Sequence, residues 1–195
     1  MPKTEIRVGG LGGQGVILCG SIIGKAAALY AGKHSTLIQA FGPEARGSAC
    51  SAQVIISEAE IGFPYVRQAD ILIVMSPDAY QQFAGQLKPG GLLLYESDLI
   101  HPGRGLPPGA RALGVPATRL AEELGRRLVL NIVMAGFFAG TTDIVPAEAV
   151  EKAVLDSVPK GTQDINLRAF HKGRDYGRAL LAQAARPASN GEPEA

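Results

Sequence analysis

The sequence predicts an α/β fold: a three-layer, mostly parallel sheet flanked by helices. Three observations carry that expectation. Strand-like runs alternate with helical ones along most of the chain. Residues 69–75 (Ala-Asp-Ile-Leu-Ile-Val-Met) are almost wholly apolar, as a strand buried on both faces of a parallel sheet must be. The run Gly10-Leu11-Gly12-Gly13-Gln14-Gly15 lies between a strand-like and a helical segment, which gives the first β-to-α turn a Rossmann-like, glycine-rich character.

Taken in order, residues 5–8 read as the first strand. Across 16–30, Val16, Cys19, Ile22, Ile23, Ala26, Ala27 and Tyr30 recur at helical spacing. Gly20 and Gly24 lower helix propensity there, which points to a close approach to the sheet or to a neighbour, and Gly32 is a stop signal. Residues 35–41 form the second strand, 49–57 the third and 69–75 the fourth. Ser76 caps, and Pro77 opens, a helix running to Leu87. Lys88-Pro89-Gly90-Gly91 turns the chain into a strand at 92–95. After a Pro- and Gly-rich loop at 100–109 come a last strand at 110–115 and helices at 118–124, 127–140, 147–158 and 167–185. Residues 186–195 offer nothing to bury and read as a flexible tail, so residues 1–185 are expected to form a single α/β domain.

Composition narrows the function. A net charge of +1 lacks the electrostatic footprint of a nucleic-acid or acidic-membrane binder, and no Trp with 6% aromatics supplies no base-stacking platform. Two cysteines, Cys19 and Cys50, cannot by themselves ligate an iron–sulfur cluster or a structural zinc, and both read as small buried hydrophobes. The longest apolar stretch, 128–139, is broken by Asn131 and is too short to span a bilayer. The first residues run straight into a strand without a secretory signal, so a cytoplasmic location is expected.

The glycine run offers backbone amides at the start of a helix, which is chemistry for a phosphate or pyrophosphate. A nicotinamide-binding fold places Asp or Glu at the tip of the second strand to hold the ribose. Here that strand ends Leu37-Ile38-Gln39-Ala40-Phe41, with no carboxylate before Glu44. A free-standing dinucleotide-dependent dehydrogenase and a tight turn without any ligand both stay open at this point.

The second unusual segment is Phe41-Gly42-Pro43-Glu44-Ala45-Arg46-Gly47. It is either a surface turn with a weak local ion pair or a loop on the same carboxyl edge as the glycine run, where Arg46 meets a phosphate or carboxylate and Glu44 orients it. Elsewhere the signals are structural. His34, His101 and His171 are scattered, with no metal or triad spacing, and Glu96 and Asp98 read as solvated residues after a strand end. Asn131 must find a buried hydrogen-bond partner, most simply a structural one. No catalytic residue and no metal site emerge.

The two motifs together, Gly-Leu-Gly-Gly-Gln-Gly-Val at 10–16 and Phe-Gly-Pro-Glu-Ala-Arg-Gly at 41–47, resemble the gamma subunit of 2-oxoacid:ferredoxin oxidoreductases. The likeness runs through 54–57, 69–72, 87–91 and the Asn131-Ile132-Val133-Met134 helix, to about Tyr176. The wording of the second motif, with Ser76-Pro77-Asp78-Ala79-Tyr80, is most similar to the 2-oxoglutarate type, although Ser48 stands where many relatives carry a second glycine. The resemblance implies a non-catalytic subunit of a complex that oxidatively decarboxylates a 2-oxoacid to its acyl-CoA and passes electrons to ferredoxin. It implies alpha, beta and ferredoxin-like delta partner subunits, which carry thiamine diphosphate, magnesium and [4Fe–4S] clusters. Joined to the loop chemistry, it implies contact with coenzyme A through Gly10, Gly12, Gly13, Gln14, Gly15, Glu44, Arg46 and Gly47. A purely structural assembly module is the alternative within the same resemblance.

Overall fold

Alternation along the first strand, β1 (Lys3–Leu11), sets the two faces of a central sheet. Ile6 and Val8 point to one side, while Arg7 and Gly9 meet Phe83 on the other. A computed structural model describes residues 3–40, 49–103 and 105–185. Five further strands complete the sheet: β2 (His34–Ala40), β3 (Ala49–Ser57), β4 (Ala69–Val74), β5 (Leu87–Glu96) and β6 (Arg111–Val115). Their order is β2-β3-β1-β4-β5-β6.

Pairings on the β6 side are parallel, as expected, but β3 runs antiparallel to both β1 and β2, so the sheet is mixed. The physical reason is connection length. Only eight residues, 41–48, separate β2 from β3. A parallel crossover needs a dozen or more, whereas antiparallel neighbours are joined by short links. The reversal puts β3 between β1 and β2. Ala40, Ala49 and Leu11 nevertheless share one edge, because Leu11 pairs with Ala49 and Ala40 with Ser51. The strands β1, β2, β4, β5 and β6 all end at that carboxyl edge. The flexible-tail expectation for 186–195 and the segment 41–47 lie outside the described residues.

One face carries most of the helices: α1 (Val16–Lys25), α3 (Ala117–Glu122), α4 (Leu130–Thr141), α5 (Ala147–Ser157) and α6 (Gln163–Ala184). A π-helical turn, Ala26–Tyr30, continues α1. The other face carries α2 (Pro77–Phe83), with Ile100 and Leu106 beside it over Leu72, Leu93 and Leu87. Ser76 caps α2 as expected, its Oγ accepting from Ala79 N at 3.3 Å. The helix ends at Phe83 and finishes as a 3₁₀ turn, Ala84–Gln86. Residues 88–91 belong to β5 rather than to a separate turn, and Gly90 (φ 74°) and the register shift opposite Ala69 mark a bulge there.

Close helix packing explains several glycines. Gly20 sits so near the sheet that a Cβ on it would lie 2.6 Å from that of Ala52. Between α4 and α6 the backbones themselves touch. A Cβ on Gly136 would overlap the Phe170 carbonyl, and one on Gly173 would overlap the Val133 carbonyl. Gly140, one turn further along α4, repeats the contact against the Arg174 carbonyl, while Gly177 on α6 makes room for the side chains of Thr141 and Phe137. Helix α4 is therefore buried on nearly every side and held rigidly between the sheet and α6.

Candidate functional site

The glycine run closes the gap between β1 and α1 at the carboxyl edge. Gln14 braces it. Its Oε1 accepts from Leu11 N at 2.7 Å, its Nε2 donates to the Met75 carbonyl at 3.0 Å, and its own backbone amide closes a turn onto the Leu11 carbonyl at 3.1 Å. The side chain so ties the loop to the tip of β4. A Cβ at Gly10 would stand 2.7 Å from Gln14 Oε1, so only glycine leaves room for that brace.

Gly15 is the N-cap of α1 in the left-handed region (φ 74°, ψ 26°), and Gly13 also has positive φ (96°). The Gly15 carbonyl accepts two donors: Cys19 N at 2.9 Å, the first bond of α1, and Asn131 Nδ2 at 3.3 Å. Asn131 is 3% exposed and lies in the first turn of α4. Its expected structural bond therefore exists, and its partner is the glycine loop itself. Among the described residues, the amides of Gly12, Gly13, Gly15, Val16, Ile17 and Leu18 donate to no other group. Six such donors at and just before a helix start are chemistry suited to an anion.

The other motif of the sequence-predicted site, Glu44, Arg46 and Gly47, lies outside the described residues, although both flanking strands deliver their ends to this edge. The tip of β2, tested above for a ribose-binding carboxylate, is separated from β1 by β3. A residue at Gln39 is thus two strands from the glycine loop, and the topology gives the dehydrogenase reading no support. A cleft of about 470 Å³ lined by Asp143, Glu148 and Arg178 lies at the far end of α4, roughly 15 Å along the helix from Asn131.

Glu96 corrects an expectation. It is not a solvated loop residue but the last residue of β5, 0% exposed. Its Oε1 accepts from Thr118 N at 3.3 Å, at the start of α3, while its Oε2 has no partner among the described residues. Burial, and secondarily the charge of Asp98, push its pKa up, against the backbone amides of Thr118, Leu99 and Asp98. Asp98 is exposed and pairs with Arg119 at 3.4 Å. Nothing in the sequence distinguished these two carboxylates, because both follow a strand end and only the packing of α3 covers one.

At the amino edge, Glu5 is buried within reach of Lys88 (2.7 Å) and Lys3 (2.9 Å), and Lys88 also meets Asp70 (2.8 Å). Burial drives the Glu5 pKa up, but the two lysines outweigh it and leave the group below its ordinary value. Both cysteines are buried, and burial pushes the Cys19 thiol up to about 12, so it stays protonated and inert. The histidines carry no shared site: His34 and His101 are exposed and His171 rests 3.1 Å from Glu151.

The arrangement is a glycine-rich loop of backbone amides at a helix start, with no acid, base or nucleophile aimed at it among the described residues, on a helix-flanked mixed sheet. Comparison with known proteins gives that arrangement a class. The profile of the family described as pyruvate ferredoxin/flavodoxin oxidoreductase matches residues 5–176, and the chain belongs to that family. It is 45% identical over 179 residues to the 2-oxoglutarate synthase subunit KorC of Methanocaldococcus jannaschii, covering 91% of this chain and 96% of the relative. The fold matches the crystal structure of a keto/oxoacid ferredoxin oxidoreductase gamma subunit from Geobacter sulfurreducens, with a TM-score of 0.80 and 38% identity over 93% of this chain and 99% of that one. It also matches 2-oxoglutarate:ferredoxin oxidoreductase from Magnetococcus marinus, solved with 2-oxoglutarate, coenzyme A and succinyl-CoA bound, with a TM-score of 0.83 and 25% identity. There this chain corresponds to 32% of a longer polypeptide.

Proposed function

We propose that this chain is the gamma subunit of a 2-oxoglutarate:ferredoxin oxidoreductase, which converts 2-oxoglutarate to its acyl-CoA and passes electrons to ferredoxin. The observation that carries the reading is the match, over nearly the whole of both chains, to a 2-oxoglutarate synthase subunit. In this reading the chain is non-catalytic and works with alpha, beta and ferredoxin-like delta subunits, which hold thiamine diphosphate, magnesium and the [4Fe–4S] clusters. The two buried, unpaired thiols of this chain fit a subunit that holds no cluster.

The glycine loop is its contribution to substrate. The amides of Gly12, Gly13 and Gly15, which meet no acceptor among the described residues, with those of the first turn of α1, suit the pyrophosphate of coenzyme A. Gly10 and Gln14 hold the loop in shape. Glu44, Arg46 and Gly47 complete the set, with Arg46 taking a further phosphate through its guanidinium fork. Support for this part comes from the loop geometry and from the bound coenzyme A of the Magnetococcus relative.

The test is Gly12→Asp in the complex reconstituted with its partner subunits. The added carboxylate repels a pyrophosphate, and the expected result is normal assembly with the KM for coenzyme A raised at least about tenfold, or 1.4 kcal/mol, while the KM for 2-oxoglutarate holds. An unchanged KM for coenzyme A overturns the ligand role. Lost assembly assigns the loop to subunit packing instead.

A further inference from the structure

We infer that Asn131 is a positioning residue for this loop: through the Gly15 carbonyl it fixes the direction in which the first amides of α1 point. The inference rests on the coenzyme A reading above and extends it to a residue 116 positions away in sequence.

The Gly15 carbonyl accepts from both Cys19 N and Asn131 Nδ2. In a trans peptide the C=O and the following N–H point in opposite directions. A carbonyl held toward α1 and Asn131 therefore holds the Val16 N–H outward, into the loop. Glycine in the left-handed region is the residue whose backbone turns most freely, so the Gly15–Val16 unit is the one that most needs an external restraint. Asn131 supplies it, and at close range: a Cβ on Gly15 would stand 2.5 Å from Asn131 Nδ2.

The restraint is only as good as its mount. Asn131 is 3% exposed in a helix clamped to α6 through backbone contacts at Gly136, Gly140 and Gly173. Helix α4 presents the amide from a fixed platform, whereas Gln14 braces the opposite end of the loop to β4. Donors aligned before a ligand arrives lose less freedom on binding it.

The experiment compares Asn131→Leu, which keeps the branching and the number of heavy atoms and removes the donor, with Asn131→Ser, which is smaller and cannot clash. Both are measured beside Gly12→Asp in the reconstituted complex. The readouts are KM for coenzyme A, KM for 2-oxoglutarate, kcat and melting temperature. Both Asn131 variants are expected to raise the KM for coenzyme A by about tenfold, the scale of one misaligned hydrogen bond to a charged group, with the KM for 2-oxoglutarate unchanged. If Gly12→Asp raises that KM and neither Asn131 variant does, the positioning role is overturned and the loop reading stands. If Gly12→Asp has no effect, the loop reading fails and takes this inference with it. Equal changes in both KM values, tracking a fall in melting temperature, assign Asn131 to stability alone and overturn the inference.

Discussion

Glu96 shows how much a single side chain depends on what covers it. Its folded-state pKa is raised, so the folded protein favours the protonated form more than the unfolded chain does. The resulting stability is fully present below the unfolded value of about 4.5 and is lost as pH rises through the folded value. Glu5 has the opposite sign: its pKa is lowered, and its contribution is present above the unfolded value and lost as pH falls through the folded one. The two slopes are separated by substitution. In Glu96→Gln the neutral amide keeps an acceptor for Thr118 N. Its melting temperature is expected to match the native protein near pH 4, to exceed it as pH rises through the folded value of the native carboxyl, and to hold that lead above it. Glu96→Ala also loses the bond to α3 and is expected to fall by 2–4 °C at pH 4, for a loss of about 1 kcal/mol. A constant difference between the Gln variant and the native protein across this range shows that Glu96 is not the titrating group.

At the scale of elements, the pair α4–α6 carries the clearest expectation. Gly→Ala in a solvent-exposed helix gains about 1 kcal/mol from propensity. At Gly173 the added methyl would overlap the backbone of Val133, so the sign reverses. Gly173→Ala is expected to destabilise by at least about 3 kcal/mol, read as a drop of roughly 6 °C or more in thermal unfolding. A neutral or stabilising result shows that the two backbones separate at little cost. The helices themselves were legible from sequence. The apolar run at 128–139, broken only by Asn131, marked a buried helix, which forms from Leu130 behind a 3₁₀ turn at Arg127–Val129, and Pro146 opened the next helix. What four-residue glycine spacing meant was not legible, because it produces backbone contact only when a second helix carries the complementary gap. The strands were found nearly to the residue at 49–57 and 69–75, since their apolar runs are long and bounded by turn residues. The direction of β3 was not found. Period-2 patterning reports which side is buried and is silent on which way a neighbour runs.

For the whole molecule, the consequence is division of labour. A loop of backbone amides abstracts no proton and carries no electron, and the family to which the chain belongs is one of ferredoxin and flavodoxin oxidoreductases. The isolated chain is therefore expected to show no reduction of ferredoxin with 2-oxoglutarate and coenzyme A, and to gain activity only with its partner subunits. Turnover by the purified chain alone overturns the assignment of chemistry to the partners.

The sequence by itself determined the class of fold, the position of the glycine-rich loop between β1 and α1 and, through two spaced motifs, the family. These are properties of short segments, where glycine, proline and apolar spacing act on neighbouring residues. Tertiary structure alone decided what Asn131 and Glu96 do. One reaches a carbonyl 116 residues earlier, and the other loses its solvent when α3 packs over the end of β5. A side chain's hydrogen-bond partner and its dielectric surroundings are set by distant parts of the chain, and no local pattern encodes them.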